Sequence, residues 1–206
     1  MDSRLSPTLI PVPEVLHGSR VLLRPLSLGD APALLQAIDE SRELLGRWIC
    51  VPDRVRSLDD ARVIIARDQA GWLLRERLSF GIFERGGGCL LGDVSLLHPN
   101  WELRAFAVGY WLRRSAQGRG YMREAVRLVT RLAFEGLGAN RVEIRMDPRN
   151  VRSRAVAESC GYVLEGTLRR SRLDKDGKPA DDHVFSLVTD DYAGLDWHNH
   201  SLSDVR

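Results

Sequence analysis

The apolar positions change period several times along the chain, and each change marks an element. Arg20 to Pro25 alternates as RVLLRP and predicts a strand, after an extended lead-in where Pro7, Pro11 and Pro13 disfavour regular structure. Leu28 to Asp39 and Ser57 to Arg77 carry helical spacing, the second through Ala61, Ile64, Ile65, Trp72 and Leu73. Ser57 is placed to cap that second helix, with Asp60 at its N3 position, while Asp68 and Gln69 interrupt its apolar stripe. The period then falls to two. LSFGIFE and CLLGDVSLL flank Arg85-Gly86-Gly87-Gly88, a hairpin signal, and Arg104 to Leu112 (RAFAVGYWL) extends the pair to a meander.

Tyr121 to Leu137 is amphipathic, with Met122, Ala125, Val126, Val129, Leu132 and Ala133 on one side and Arg123, Glu124, Arg127 and Arg131 on the other. RVEIRMD from Arg141 predicts a strand, Asn150 to Cys160 a short helix, and Tyr162 to Asp174 pairs with His183 to Thr189 across a turn containing Asp176-Gly177. Strand, two helices, three strands, helix, strand, helix, two strands is the order of an α/β protein with a mixed sheet.

A length of 206 residues, 44% of them hydrophobic, suits one domain, expected over residues 19–190 between an extended segment 1–18 and a tail 191–206. Thirty basic residues against 28 acidic ones leave a charge of +2, which disfavours a nucleic-acid partner. Cys50, Cys89 and Cys160 are odd in number and lack metal-ligand spacing, so a reducing compartment is expected. With no signal-peptide pattern and no apolar run of spanning length, the expectation is a cytoplasmic protein without a membrane partner. His198 and His200 in WHNH lack a carboxylate or thiol partner, and no metal is expected.

The chemistry concentrates in RRSAQGRG, between the strand ending at Leu112 and the helix starting near Tyr121. Gly118 and Gly120 allow positive φ and close approach to a ligand, and the unpaired N–H groups of the next helix would face an anion there, aided by Arg119 and Arg113. The third glycine of a dinucleotide fingerprint falls at Arg123, and no Gly-Lys-Ser or Gly-Lys-Thr of a P-loop follows. Gly109, inside an apolar strand, reads either as a bulge opening a slot for an extended ligand or as room for Tyr110 or Trp111. Asn150 is a good N-cap with Ser153 at N3, which an ordinary helix start would also explain.

The segments GYWL and QGRGYMREA, followed by DPRNVRS and CGYVLEGTLR, resemble the GNAT superfamily of N-acetyltransferases, and within it the RimJ/RimL group that acetylates the N-termini of ribosomal proteins. The resemblance covers roughly Ser19 to Thr189. It implies a single-domain, mixed but largely antiparallel sheet with helices on both faces and a splayed central strand pair, with acetyl-CoA as co-substrate. Gln117, Gly118, Arg119, Gly120 and Tyr121 would hold the pyrophosphate, and the pantetheine arm would run between Val108 to Leu112, past Tyr110 and Trp111, and Arg141 to Met146. Asn150 would contact that arm and Ser153 would bond the departing thiolate, with Tyr121 or Tyr162 as substitutes. Ser115 departs from the superfamily's loop pattern, whereas Gln117 before Gly118 fits the subgroup.

An acidic base used by some members corresponds here to Arg172, seven residues beyond Glu165, so the base must come from elsewhere: Glu102 is the first choice, followed by His98, Asp181 and Asp182. The expected acceptor is a protein N-terminal α-amine, with specificity set in Leu44 to Arg77, where Trp48 and acidic Asp53, Asp59 and Asp60 stand. Acetylation of a polyamine or aminoglycoside, and a non-catalytic acyl-CoA sensor on the same fold, are the competing readings. The resemblance, with Trp48 and Trp72, also implies a homodimer.

Overall fold

The computed structural model describes residues 6–199, of which residues 198 and 199 by backbone alone. Among them, eight strands form one sheet in the order β1-β2-β3-β4-β5-β6-β8-β7. Their ranges are β1 Leu16–His17, β2 Val21–Arg24, β3 Leu78–Glu84, β4 Leu90–Asn100, β5 Ala105–Leu112, β6 Arg141–Met146, β7 Val163–Leu173 and β8 Pro179–Val188. All neighbours are antiparallel except β5 and β6. The helices are α1 Ala31–Leu45, α2 Val51–Arg54, α3 Leu58–Leu74, α4 Tyr121–Arg131, α5 Val151–Ser159 and α6 Thr189–Ala193.

Strand alternation divides the core between the two faces of the sheet. On one face, Ala31, Leu34 and Ile38 of α1 and Ala61 and Ile65 of α3 bury against Phe83, Leu90 and Trp111. On the other, Met122, Ala125, Val126 and Val129 of α4 pack on Leu23, Phe80, Val94 and Val108. Ser57 Oγ accepts from the Asp60 backbone N–H at 3.1 Å while the Asp60 carboxylate accepts from the Ser57 N–H at 2.9 Å, so the expected start of α3 is a reciprocal capping box.

Several boundaries differ from the sequence expectation. α1 follows a 3₁₀ turn, Leu28–Asp30, and runs on past Asp39 because Ser41 and Leu45 are still buried. The four-residue α2 is too short to show a period. The helix expected to run from Tyr121 to Leu137 changes winding at Leu132–Gly136, a π turn in which the consecutive Leu132, Ala133 and Phe134 are all buried. β8 begins at Pro179, upstream of His183, because Ala180 and Pro179 still pair with Arg172 and Leu173 up to the turn at Gly177. The sheet begins at Leu16, and Tyr192 of α6 stacks on Phe134 at 4.4 Å, so the core reaches beyond both residue 19 and residue 190.

Gly109 is not a bulge. It pairs in register with Ser95, and the irregularity between β4 and β5 falls between Leu97 and Asn100. A Cβ at Gly109 would stand 2.7 Å from Leu97 Cδ1, so the glycine makes room for Leu97 rather than for an aromatic ring.

Candidate active site

The single parallel seam of the sheet is paired for only a short stretch. Ala105, Phe106 and Ala107 of β5 face Arg141, Val142 and Glu143 of β6, and the pairing stops there. β5 stays bonded to β4 as far as Leu112, and β6 to β8 as far as Met146. Beyond Ala107 the two inner edges therefore part and leave a slot between Val108–Leu112 and Ile144–Met146, a shorter opening than the expected Arg141 to Met146 because Arg141, Val142 and Glu143 are paired with β5, and no bulge at Gly109 produces it.

At the mouth of this slot β5 gives way to a 3₁₀ turn, Arg114–Ala116, and then to the glycine loop. Gly118 has φ 75° and Gly120 φ 80°, values in the left-handed region that glycine adopts at least cost. Gly120 is the N-cap of α4 and provides no side-chain acceptor, so the first N–H groups of α4 point unsatisfied out of the helix, at the positive end of its dipole. A Cβ at Gly118 would meet nothing within 4 Å, whereas at Gly120 it would stand 2.9 Å from Arg20 Nη2 and 3.8 Å from Arg123 Nη2. Bare backbone, orphan donors and guanidinium groups suit a pyrophosphate.

Arg20 went unnoticed in the sequence. It lies immediately before β2, about a hundred residues before the loop, where nothing local signals its use. Its Nη1 donates to the Arg119 carbonyl at 2.8 Å, and its Nε pairs with Glu124 at 3.3 Å. Arg152 likewise reaches the loop, donating to Gln117 Oε1 at 2.6 Å, while Gln117 Nε2 donates to the Leu112 carbonyl at 3.1 Å. Arg119 is exposed at the loop tip. Arg113, expected to aid the anion, is committed elsewhere: its guanidinium pairs closely with Glu40 of α1, and the Ser115 N–H donates to the same carboxylate at 2.7 Å. The hydrogen bond from Arg113 holds the Glu40 carboxyl at about 2, below its ordinary range. Arg113 thus anchors the loop to α1.

Asn150 and Ser153 meet the slot from α5. Asn150 Oδ1 accepts from the Ser153 backbone N–H at 3.1 Å, so the cap is made by Asn150 and leaves the Ser153 hydroxyl available for other work. That hydroxyl lies 3.0 Å from the Tyr110 hydroxyl of β5, which also donates to the Ser153 carbonyl at 3.1 Å. Burial pushes the Tyr110 phenol well above its usual range, so it stays protonated. Tyr121 and Tyr162, the substitute thiolate donors, are engaged elsewhere: the Tyr121 hydroxyl donates to Glu84 at 2.6 Å, and that of Tyr162 lies 2.7 Å from Thr130 Oγ1 in the core.

The structure does not bring the expected bases to this point. Glu102 is an exposed turn residue preceding β5, beyond the paired end of the seam, and His98 is an exposed residue near the end of β4. Asp181 accepts from the Arg170 N–H at 2.8 Å, and Asp182 is buried against Ser171 and Arg172. Arg172, which stands where the resemblance would place an acid, bridges Asp182 at 2.8 Å and Asp147 at 2.7 Å. Hydrogen bonds from Arg149 first, with charge from Arg172, hold the Asp147 carboxyl far below its ordinary range. Without Arg172, Asp147 keeps Arg149 but the buried Asp182 loses its cation, so Arg172→Leu is expected to cost about 1–2 kcal/mol of stability. Urea denaturation reads this directly, and an unshifted midpoint would contradict the bridging role. Among the described residues no three His, Cys, Asp or Glu side chains cluster as metal ligands, and His200 and the His198 side chain lie outside them. No helix among those residues is long and apolar enough to cross a membrane.

A mixed sheet opened at its one parallel seam, with a bare helix N-terminus at the mouth, is the arrangement of an acyl-CoA-dependent transferase. Residues 20–163 match the acetyltransferase (GNAT) domain, and the chain belongs to that family. It is 31% identical over 179 residues, 86% of its length, to the probable N-acetyltransferase YjcK of Bacillus subtilis, covering 98% of that protein. It is 31% identical over 180 residues to the putative ribosomal N-acetyltransferase YdaF of the same organism, covering 86% of this chain and 96% of YdaF. A solved structure of a putative ribosomal-protein-serine acetyltransferase from Vibrio cholerae superposes with a TM-score of 0.75 at 30% identity, over 86% of this chain and 99% of that one.

Proposed function

We propose that the protein transfers the acetyl group of acetyl-CoA to a primary amine, the α-amine of a protein N-terminus, by direct attack. The observation that carries this reading is the slot itself: a seam open beyond Ala107, a glycine loop at its mouth, and the hydroxyls of Tyr110 and Ser153 3.0 Å apart at its side. Bound acetyl-CoA supplies the activated carbonyl. The loop N–H groups, with Arg20 and Arg119, hold its phosphates, and the splayed edges of β5 and β6 admit its arm, with Asn150 on the α5 side. A backbone N–H at the open edge near Val108 stabilises the developing oxyanion. Ser153 donates to the departing thiolate, and Tyr110 fixes the seryl hydroxyl where that donation occurs.

The acceptor must be neutral to attack. At pH 7 about a seventh of an α-amine is neutral, against about one part in 2,500 of a lysine ε-amine, a difference of roughly 3.5 kcal/mol. A protein that moves only one proton with modest help therefore favours α-amines, in keeping with the names of YdaF and the Vibrio cholerae protein. Initial rates on a peptide with a free N-terminus should exceed those on its N-blocked, lysine-containing counterpart by about a hundredfold at pH 7, the gap narrowing as pH rises and lysine deprotonates. Faster turnover of the lysine peptide or of spermidine would contradict the α-amine assignment. Of the tryptophans behind the expected homodimer, Trp72 packs edge-on against Phe80 at 4.8 Å inside the chain's own core, leaving Trp48 at the surface. Sedimentation at micromolar concentration distinguishes one copy from two.

A further inference from the structure

An acid stands where an anion is expected. Glu124 lies in the first turn of α4, and its N–H donates to the Gly120 carbonyl at 3.2 Å. A carboxylate suits the positive end of a helix, but this end also faces the cofactor phosphates, and a negative charge beside them repels what the loop must hold. The hydrogen bonds of Glu124 show what it does there. Its Oε1 accepts from the Arg20 N–H at 2.9 Å and from Ser19 Oγ at 3.0 Å, and its Oε2 accepts from Arg20 Nε at 3.3 Å. A Cβ at Gly18 would run into the same carboxylate, so the corner of residues 18–20 ahead of β2 is built around it. From the other side the Arg85 N–H donates to the Arg20 carbonyl at 2.9 Å, and Arg85 Nη1 to the Gly18 carbonyl at 2.8 Å.

Held in this way, Arg20 turns another of its nitrogens to the loop. Nη1 donates to the Arg119 carbonyl at 2.8 Å, and the guanidinium carbon lies 5.3 Å from the centre of the Tyr121 ring, whose hydroxyl is bonded to Glu84. That carbonyl belongs to the peptide unit joining Arg119 to Gly120. The unit is trans, so its C=O and its N–H point in opposite directions. Fixing the oxygen towards Arg20 therefore aims the Gly120 N–H away from Arg20, where it has no acceptor among the described residues. Without that bond the unit could turn over, because Gly120 lacks the Cβ that would resist the change in φ. Turned over, it would offer the phosphates a carbonyl oxygen in place of a donor.

We propose that Glu124 and Arg20 are positioning residues for the cofactor: Glu124 locks the Arg20 guanidinium, which fixes the peptide between Arg119 and Gly120 with its N–H aimed at the pyrophosphate before the cofactor arrives. The proposal rests on the reading of this loop as the acetyl-CoA cradle. Ordering the loop in advance strengthens binding, because that ordering no longer opposes association. Charge and positioning then make opposite demands on Glu124. By charge alone, removing the carboxylate strengthens CoA binding, since a group that repels the phosphates is gone. By positioning, the same change weakens binding, since Arg20 and the peptide it holds come loose.

Glu124→Gln separates the two, because glutamine keeps the length of the side chain but leaves one acceptor oxygen for three donors. The dissociation constant for CoA, measured by calorimetry well below the melting temperature, should rise about fivefold or more. The Michaelis constant for acetyl-CoA should rise with it, and the turnover number should not follow. Arg20→Lys keeps the charge but loses the fork that serves Glu124 and the Arg119 carbonyl together, and should weaken CoA binding to a similar degree. Because both residues act through one peptide unit, Glu124→Gln should add little in the Arg20→Lys background. CoA binding that tightens or stays within about twofold of the wild type in folded Glu124→Gln would overturn the assignment, whatever the fall in melting temperature. So would wild-type affinity in Arg20→Lys, which carries the test if the Gln variant does not fold, or losses that add in full in the double variant. A wild-type protein that binds no CoA would instead sink the reading of the loop as the cofactor cradle.

Discussion

Gly120→Val raises the Michaelis constant for acetyl-CoA at least tenfold, a loss of about 1.4 kcal/mol of binding. Gly120 has φ 80°, where a β-branched residue is strained by about 1–2 kcal/mol, and its new Cβ would stand 2.9 Å from Arg20 Nη2. Relief of that strain moves the first turn of α4 or displaces Arg20, and either change dismantles the cradle. Because a guanidinium end is flexible, the backbone strain carries most of the effect. Gly120→Asn, which tolerates left-handed backbone, should lose less. The variant's turnover at saturating cofactor should stay near that of the wild type, since no group that acts on the acetyl transfer has been removed. Unchanged cofactor affinity in folded Gly120→Val would remove the loop from the binding site.

Ser153→Ala lowers turnover about tenfold, corresponding to about 1.4 kcal/mol in the transition state, with little change in cofactor affinity. The capping geometry sharpens this expectation. The backbone N–H of residue 153 donates to Asn150, and alanine keeps that donor, so the helix start survives. What alanine loses is one hydroxyl contact with Tyr110, worth about 1 kcal/mol, and Tyr110 retains the Ser153 carbonyl as acceptor. Asn150→Ala should show the opposite balance, with about 1 kcal/mol of stability lost through the cap. Thiolates leave readily, so the thousandfold losses that follow removal of an oxyanion donor are not expected. Full turnover with a lowered melting point in Ser153→Ala would return the residue to a structural role.

The glycine loop and the strands around it are legible in the sequence because their signals are local: a period of two, a change to helical spacing at Tyr121, and glycines where φ must turn positive. What escaped depends on long-range partners. Arg113 and Arg20 look alike as isolated cations, and only the fold assigns one to Glu40 and the other to the Arg119 carbonyl. Asp68 reads as a break in the α3 stripe, but it turns inward and pairs with Arg77. Glu102 looked suitable because it precedes the central strand, but direction along that strand decides the matter. The seam is paired at the Ala105 end and open at the Leu112 end, so a residue before Ala105 stands on the closed side.

The central claim is that a cofactor in this slot gives its acetyl group to an amine, and thiol release from acetyl-CoA measured with and without acceptor tests it most directly. The account predicts CoA release that depends on a free amine, saturates in peptide, and disappears when the peptide's N-terminus is already acetylated. Saturable CoA binding with no release above background across free N-terminal peptides, lysine peptides and polyamines would contradict it and mark the protein as an acyl-CoA sensor.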